Sequence, residues 1–280
     1  MTDDPNDGDE REGHRRLMEM VDEPVTTDSL VADLRGLGVE RGETLLVHSS
    51  LSSLGWVSGG APAATDALLE AVGEEGTLVT PTHTPQCSDP DEWENPPVPD
   101  GWVETLRETM TPYRSEITPT WAMGAIPECF RDYPETRRSN HPTYSFAAQG
   151  PTAADVIEDH PIDDSLGENS PLGRLYDLDA QVLMLGTGHE TNTSLHLAEY
   201  RAEYAKEYRT KGAPALVDGE RRWLTYEDLE IDSEDFPEIG EAFEAAVGLV
   251  EGEVGTATAK LVDQRSLVDF GVEWMAENRQ

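Results

Sequence analysis

His196 and Glu199 stand three residues apart in 186-GTGHETNTSLHLAEYRAEY-204, where a glycine turn leads into a segment that reads as a helix from about Ser194 to Lys206. Helix positions three apart adjoin on one face. Glu199 can therefore hold the imidazole in the tautomer that leaves its second nitrogen free to take a proton, and can stabilise the imidazolium that results. A solvated surface pair worth roughly 0.2–0.5 kcal/mol has the same spacing, so spacing alone supports both readings. His48, at the end of a strand and followed by Ser49 and Ser50, and His141, before a proline, also sit beside small polar residues at element ends. Ligands of layered α/β folds gather at the carboxyl ends of strands, which makes 48–50 and the turn after Leu185 candidate site walls. Each of the three histidines taken singly is as readily a satisfied core residue.

Other chemistries have weaker signatures. His189 and His196 are seven apart and no HExxH or HxH occurs, so no metal is expected. There is no GxSxG elbow behind Ser49 or Ser50. Cys87 and Cys129 have no CxxC partner and read as reduced and structural. The turn 55-GWVSGG-60 ahead of a helix offers backbone N–H groups to a pyrophosphate or to pantetheine amides, though such turns more often serve strand-to-helix geometry alone.

The elements that must carry these residues alternate. A helix capped by Thr27 or Asp28 has Leu30, Val31, Leu34 and Leu37 on one face and ends at the glycines 36 and 38. Strand 44–50, a helix over 63–72 and strand 77–83 follow, which predicts a parallel segment. After the proline-rich stretch 84–102 come helical segments at 103–110 and 122–132, an extended run through Tyr144 and Phe146, a helix at 152–160, a loop over 170–179 and strand 181–188. Beyond 213 the pattern gives shorter strands, an edge segment at 220–229, an amphipathic helix at 239–250, and a strand with a closing helix at the end. The expected fold class is α/β, a layered α/β/α-type sheet with parallel and antiparallel strands flanked by helices.

The charge constrains partners. Asp and Glu number 57 against 20 Lys and Arg, a formal net charge of -37, and only Lys206, Lys211 and Lys260 are lysine. That balance excludes a general nucleic-acid or anionic-membrane binder. Self-repulsion on this scale is relieved at molar salt, where the Debye length falls to roughly 3 Å, so a high-salt cytoplasm is expected. No run of eighteen apolar residues and no signal-peptide core occurs, which places the protein in the cytoplasm, and residues 1–20 read as a flexible acidic leader.

Six blocks in order resemble the aminoglycoside 3-N-acetyltransferases: 47-VHSSLSSLGWVSGG-60, 74-EEGTLVTPTHT-84, the DPxxWxNPPVP loop at 89–99, 138-RSNHPTYSFAAQG-150, 170-SPLGRLY-176 and 185-LGTGHETNTSLHLAE-199. The resemblance spans about residues 28–275 and implies transfer of acetyl from acetyl-CoA to the 3-amino group of an aminoglycoside or a related small amine. It makes 21–280 a single acetyltransferase domain. It implies that His196 is the general base, that Glu199 is its neighbour, and that Asp89 helps bind the amino-sugar or align the base, with Asp91 and Glu92 as alternatives. Likewise, it makes Ser49, Ser50, Leu51 and Ser52 the wall for pantetheine and phosphates, and His48 and His141 substrate-side residues. Direct transfer in a ternary complex follows, with backbone N–H groups near 48–52 holding the thioester oxygen. Two readings compete: a metal-dependent hydrolase using His48, His141 and His196 with Asp89, and a catalytically silent binding protein.

Overall fold

A computed structural model describes residues 7–94 and 96–280. In chain order the helices and strands are α1 (Asp7–Glu19), α2 (Thr27–Leu37), β1 (Thr44–Ser49), α3 (Gly60–Val72), β2 (Thr77–Pro81), α4 (Val103–Thr109), α5 (Ala125–Phe130), β3 (Arg137–Arg138) and β4 (Phe146–Gln149). They continue as α6 (Ala153–Ile157), α7 (Pro171–Asp177), β5 (Gln181–Leu185), α8 (Ser194–Arg201), β6 (Tyr208–Val217), β7 (Glu220–Leu229), α9 (Phe236–Ala246), β8 (Val250–Val254), β9 (Ala257–Asp263) and α10 (Gln264–Asn278).

Seven strands form one sheet in the order β3-β4-β2-β1-β5-β9-β8, and β6 and β7 form a separate hairpin. At the centre, β1 runs parallel to both β2 and β5, with Leu45 opposite Leu78 and Gln181, while the outer pairs are antiparallel. This is the expected mixed α/β sheet. Because successive side chains on a strand alternate in direction, Leu45 and Val47 enter one core layer with α2, α3 and α5, and Leu46 enters the other with α6 to α10. Leu183 and Leu185 of β5 join the first layer, and Val182 and Met184 the second. Both faces of these central strands are dry, which is why they read as unbroken apolar runs.

Several local expectations change. The side-chain oxygen of Thr26, not of Thr27 or Asp28, caps α2, accepting from Ser29 N–H at 3.1 Å while Ser29 Oγ accepts from Thr26 N–H. This reciprocal box satisfies two donors at once, which fixes the start. Residues 171–177, expected as loop, form α7 because Ser170 caps Leu172 N–H and Pro171 fits the first turn. Helix α8 ends at Arg201, short of Lys206, where Ala202 turns extended. The described part of the leader contains α1, and residues 1–6 lie outside the described residues. Among the described residues no helix is long and apolar enough to cross a membrane.

Candidate active site

The carboxyl ends of β1, β2 and β5 open on the same side of the sheet, into a cleft of about 670 Å3. His48 and the 49–52 segment line it after β1, His83 after β2, and residues 187 and 190–193 with His196 after β5. Phe236 and Tyr144 add apolar wall. The turn after β1 is tied to that after β5: Ser50 N–H donates to Leu185 O at 2.9 Å, and Ser53 Oγ to Gly186 O at 3.2 Å. Gly186 has φ of 69°, and a Cβ there would lie 2.4 Å from that of Ser53, so only glycine permits this approach. A short 3-10 helix begins at Leu51. The Leu51 and Ser52 N–H groups open it and, as at any helix start, have no intrahelical acceptor.

Helix α8 starts where Asn192 Oδ1 accepts from Ser194 N–H at 3.1 Å, and its first turns present His196 to the cleft. The carboxylate of Glu199, 0% exposed, accepts from His196 Nδ1 through Oε2. Through Oε1 it accepts from Asp232 N–H at 2.9 Å and from Arg279 Nη1 at 2.6 Å. A carboxylate on Nδ1 places the ring proton there and leaves the Nε2 lone pair free, the form a base requires. Arg279 reaches back from the end of α10 and also holds Asp235 through Nη2 at 2.5 Å and Nε at 2.8 Å. Burial opposes its charge, but the hydrogen bonds it donates to Asp235 and Glu199 outweigh burial and raise its pKa. The Glu199 charge is thus matched and hydrogen-bonded, which is the condition for keeping a carboxylate in a dry interior. Gly271 allows the approach, since a Cβ on it would meet Ala198 Cβ at 2.9 Å.

His48 is 4% exposed, with Nε2 3.4 Å from Thr193 Oγ1. Burial, reinforced by the nearby His196, pushes its pKa down to about 3. His83 is brought into the same cleft, although the sequence assigns it no role; its Nε2 has no partner among the described residues, and burial first, then His196 and His48, push its pKa down to about 3. Both rings are neutral near pH 7 and act as hydrogen-bonding groups. The signal that finds His83 is the rule already applied to His48: a histidine at the carboxyl end of an apolar strand.

Two expected residues lie elsewhere. His141, 1% exposed, accepts through Nδ1 from Thr143 N–H at 3.1 Å and Tyr144 N–H at 2.9 Å. That acceptance places its proton on Nε2, which donates to Ser165 Oγ at 2.8 Å, and Ser165 in turn donates to the buried Asp228. The hydroxyl that receives the imidazole proton here gives its own to a carboxylate, the reverse of an activated nucleophile. Asp228 also accepts from Tyr200 OH at 2.6 Å, so the chain fastens the β6–β7 hairpin to α8. Asp89 is gripped by Arg107 of α4, through Nε at 2.9 and 3.1 Å and Nη2 at 2.9 Å, and does not line the cleft. The four residues of the hydrolase reading are therefore not gathered, and among the described residues no group of three or more His, Cys, Asp or Glu is placed to hold a metal ion. His189 is turned away as well, its Nε2 3.0 Å from Glu244 Oε1. The glycine turn 55–60 gives its backbone to a neighbouring segment: Ser58 N–H donates to Val25 O at 2.8 Å, and Trp56 O accepts from Val25 N–H at 3.0 Å.

Comparison with known proteins gives the family. Residues 46–276 match the family described as Aminoglycoside 3-N-acetyltransferase. The chain is 47% identical over 265 residues to the SPbeta prophage-derived aminoglycoside N(3')-acetyltransferase-like protein YokD of Bacillus subtilis, covering 94% of this chain and 97% of that protein. The crystal structure of YokD superposes with a TM-score of 0.92 over 94% of this chain and 98% of its own. Aminoglycoside N(3)-acetyltransferase VII of Streptomyces paromomycinus is 38% identical, over 93% of this chain and 95% of its own. The structure of AAC-IIIb in a binary complex with CoASH is 29% identical with a TM-score of 0.83, covering 92% of this chain and 98% of that one. The chain belongs to the aminoglycoside 3-N-acetyltransferase family.

Proposed function

We propose that this chain transfers acetyl from acetyl-CoA to the 3-amino group of an aminoglycoside or a related small amine, directly and with His196 as general base. One observation carries the reading: His196 stands at the cleft with Nδ1 held by the buried Glu199 and Nε2 left free. An aliphatic amine is mostly protonated near neutral pH and must lose a proton to attack the thioester carbon. That first proton goes to solvent; Nε2 then accepts a second N–H proton as the N–C bond forms, and the Glu199 carboxylate stabilises the imidazolium. The thioester C–S bond then breaks and CoA leaves as thiol, taking its proton from the imidazolium. In our reading backbone N–H groups near the 48–52 turn hold the thioester oxygen, with Ser49, Ser50, Leu51 and Ser52 along the pantetheine and towards the phosphates. Neutral His48 and His83 face the reacting groups, while Asp89 and His141 act indirectly by fixing the loops that carry Trp93 and Tyr144.

The net charge of -37 supports a polycationic acceptor, which such a surface favours at contact and, where salt is low, also attracts from a distance. It also supports work in a high-salt cytoplasm. We read 21–280 as one acetyltransferase domain behind the acidic 1–20 leader. The test is thiol release from acetyl-CoA with a panel of aminoglycosides and simpler amines, in salt that preserves the fold. Turnover by the wild type, falling about 10²- to 10⁴-fold in His196→Gln with acetyl-CoA binding retained, is expected. No thiol release with any amine sinks the reading; release with simple amines alone removes the aminoglycoside.

A further inference from the structure

Acetyl-CoA carries a 3'-phosphate and a pyrophosphate, several negative charges that a protein of net charge -37 repels. Among the described residues lining the cleft there is no lysine or arginine, and Glu190 adds a negative charge. Of the cleft's histidines, His48 and His83 are neutral in the folded protein and His196 serves the reacting end. The pantetheine end is provided for, but among the described residues the cleft lining supplies no lysine or arginine for the phosphates.

The missing charge stands at its rim. Leu17 of α1 lines the main cleft, and an adjoining open cavity of about 400 Å3 is bounded by Gly13, His14, Arg16 and Leu17 on one side and by Ser52 on the other. Gly13, Arg16 and Leu17 are related by helical steps of three and four, so they share the face turned to Ser52. The end of α1 is tethered, because Val21 packs on the first core layer and against Gly55. Four residues on, Val25 pairs with Val57. Arg16 is committed to Glu12 at 2.8 Å, but their side chains are 74% and 61% exposed, a pair of little strength in water. A phosphate dianion competes well for such a guanidinium.

We propose that Arg16, with His14 beside it on α1, is the seat for the phosphate groups of the nucleotide thioester, so that the helix preceding the catalytic fold completes the co-substrate site. The proposal rests on the acetyltransferase reading. Its force is electrostatic selection: the cleft accepts the thioester arm, and α1 distinguishes the nucleotide form from a bare pantetheine thioester.

The experiment compares dissociation constants of acetyl-CoA, its 3'-dephospho form and acetylpantetheine, in the lowest salt at which the wild type keeps its fold. Arg16→Gln lowers the preference for acetyl-CoA over acetylpantetheine by about tenfold, Arg16→Glu lowers it further, and Arg16→Lys largely restores it. If the loss is seen against acetyl-CoA alone and not its 3'-dephospho form, the 3'-phosphate is the group held; if against both, it is the pyrophosphate. Preference ratios within twofold of wild type in both the Gln and Glu variants overturn the proposal while leaving the acetyltransferase reading intact. Failure of the wild type to bind any of the three thioesters overturns both.

Discussion

Replacing Glu199 by glutamine keeps the size of the side chain and removes its charge. Its carboxylate lies in direct hydrogen-bond contact with the imidazole, at 0% exposure. When His196 takes the amine proton, an opposite charge at about 4 Å is worth about 4 kcal/mol at an effective dielectric constant of about 20, or about three decades in rate. Because this attraction exists only once the imidazolium has formed, the loss falls on kcat and not on KM for acetyl-CoA. Stability changes less. Arg279 keeps Asp235 as its partner, at 2.5 and 2.8 Å, so no cation is left bare, and about 1–3 kcal/mol is expected for the weakened charged hydrogen bonds. Alanine at the same site leaves Arg279 half-partnered and opens a cavity, with a larger loss. The assay is steady-state thiol release paired with denaturant unfolding of each variant. A kcat for Glu199→Gln within threefold of wild type, with the fold intact, would falsify the assignment of Glu199 as the group that stabilises the imidazolium.

Three further outcomes follow from the same contacts. The His48 pKa is about 3 in the folded protein against 6.5 for a free imidazole, so the unfolded chain binds the extra proton first; stability from this site is complete above about pH 6.5 and declines by about 1.36 kcal/mol per pH unit as pH falls towards 3. Unfolding of His48→Asn between pH 6 and 4 should show a slope shallower by about one proton, and parallel slopes would remove the buried neutral imidazole from the account. Gly271→Ala must separate α10 from Ala198 and is expected to cost about 1–3 kcal/mol and to lower kcat by loosening Arg279 from Glu199; unchanged midpoint and rate would mean the helices have slack. With a charge of -37, the thermal midpoint should climb with added potassium chloride well beyond the range in which surface pairs are screened, and a midpoint that falls from about 0.1 M to 2 M salt contradicts the high-salt reading.

Residues whose neighbours are close in sequence were legible. The apolar runs of β1 and β2 on either side of a helix announce a parallel segment, and the three-residue step from His196 to Glu199 allows their contact. Arg279 was not legible, because its link to Glu199 exists only once α10 packs on α8 through Gly271, and no local pattern encodes that approach. The partners of His141 were not legible for a related reason: the hairpin β6–β7 brings Asp228 behind Ser165, which ties the ring internally. Asp89 sits in a loop whose composition signals function, while its carboxylate is occupied by Arg107 from α4. The cap of α2 is local but falls on Thr26 and not on its neighbours, because Ser29 closes the reciprocal box with it.

The parallel pairing of β1 with β5 joins Leu45 to Gln181 and Ser49 to Leu185, strands separated by 181 − 45 = 136 residues of chain. Closing a loop of that length carries an entropic cost before any contact compensates it, so this pairing belongs to the slow part of folding, after helices such as α2 and α3 have formed locally. The two turns that build the cleft hang from those two strands. A refolding chain should therefore regain most of its helical signal before it can bind a ligand, and during that interval the apolar edges of β1 and β5 are open to other chains. The acidic surface then has a second use where salt is low: it keeps such half-formed molecules apart while the centre of the sheet closes.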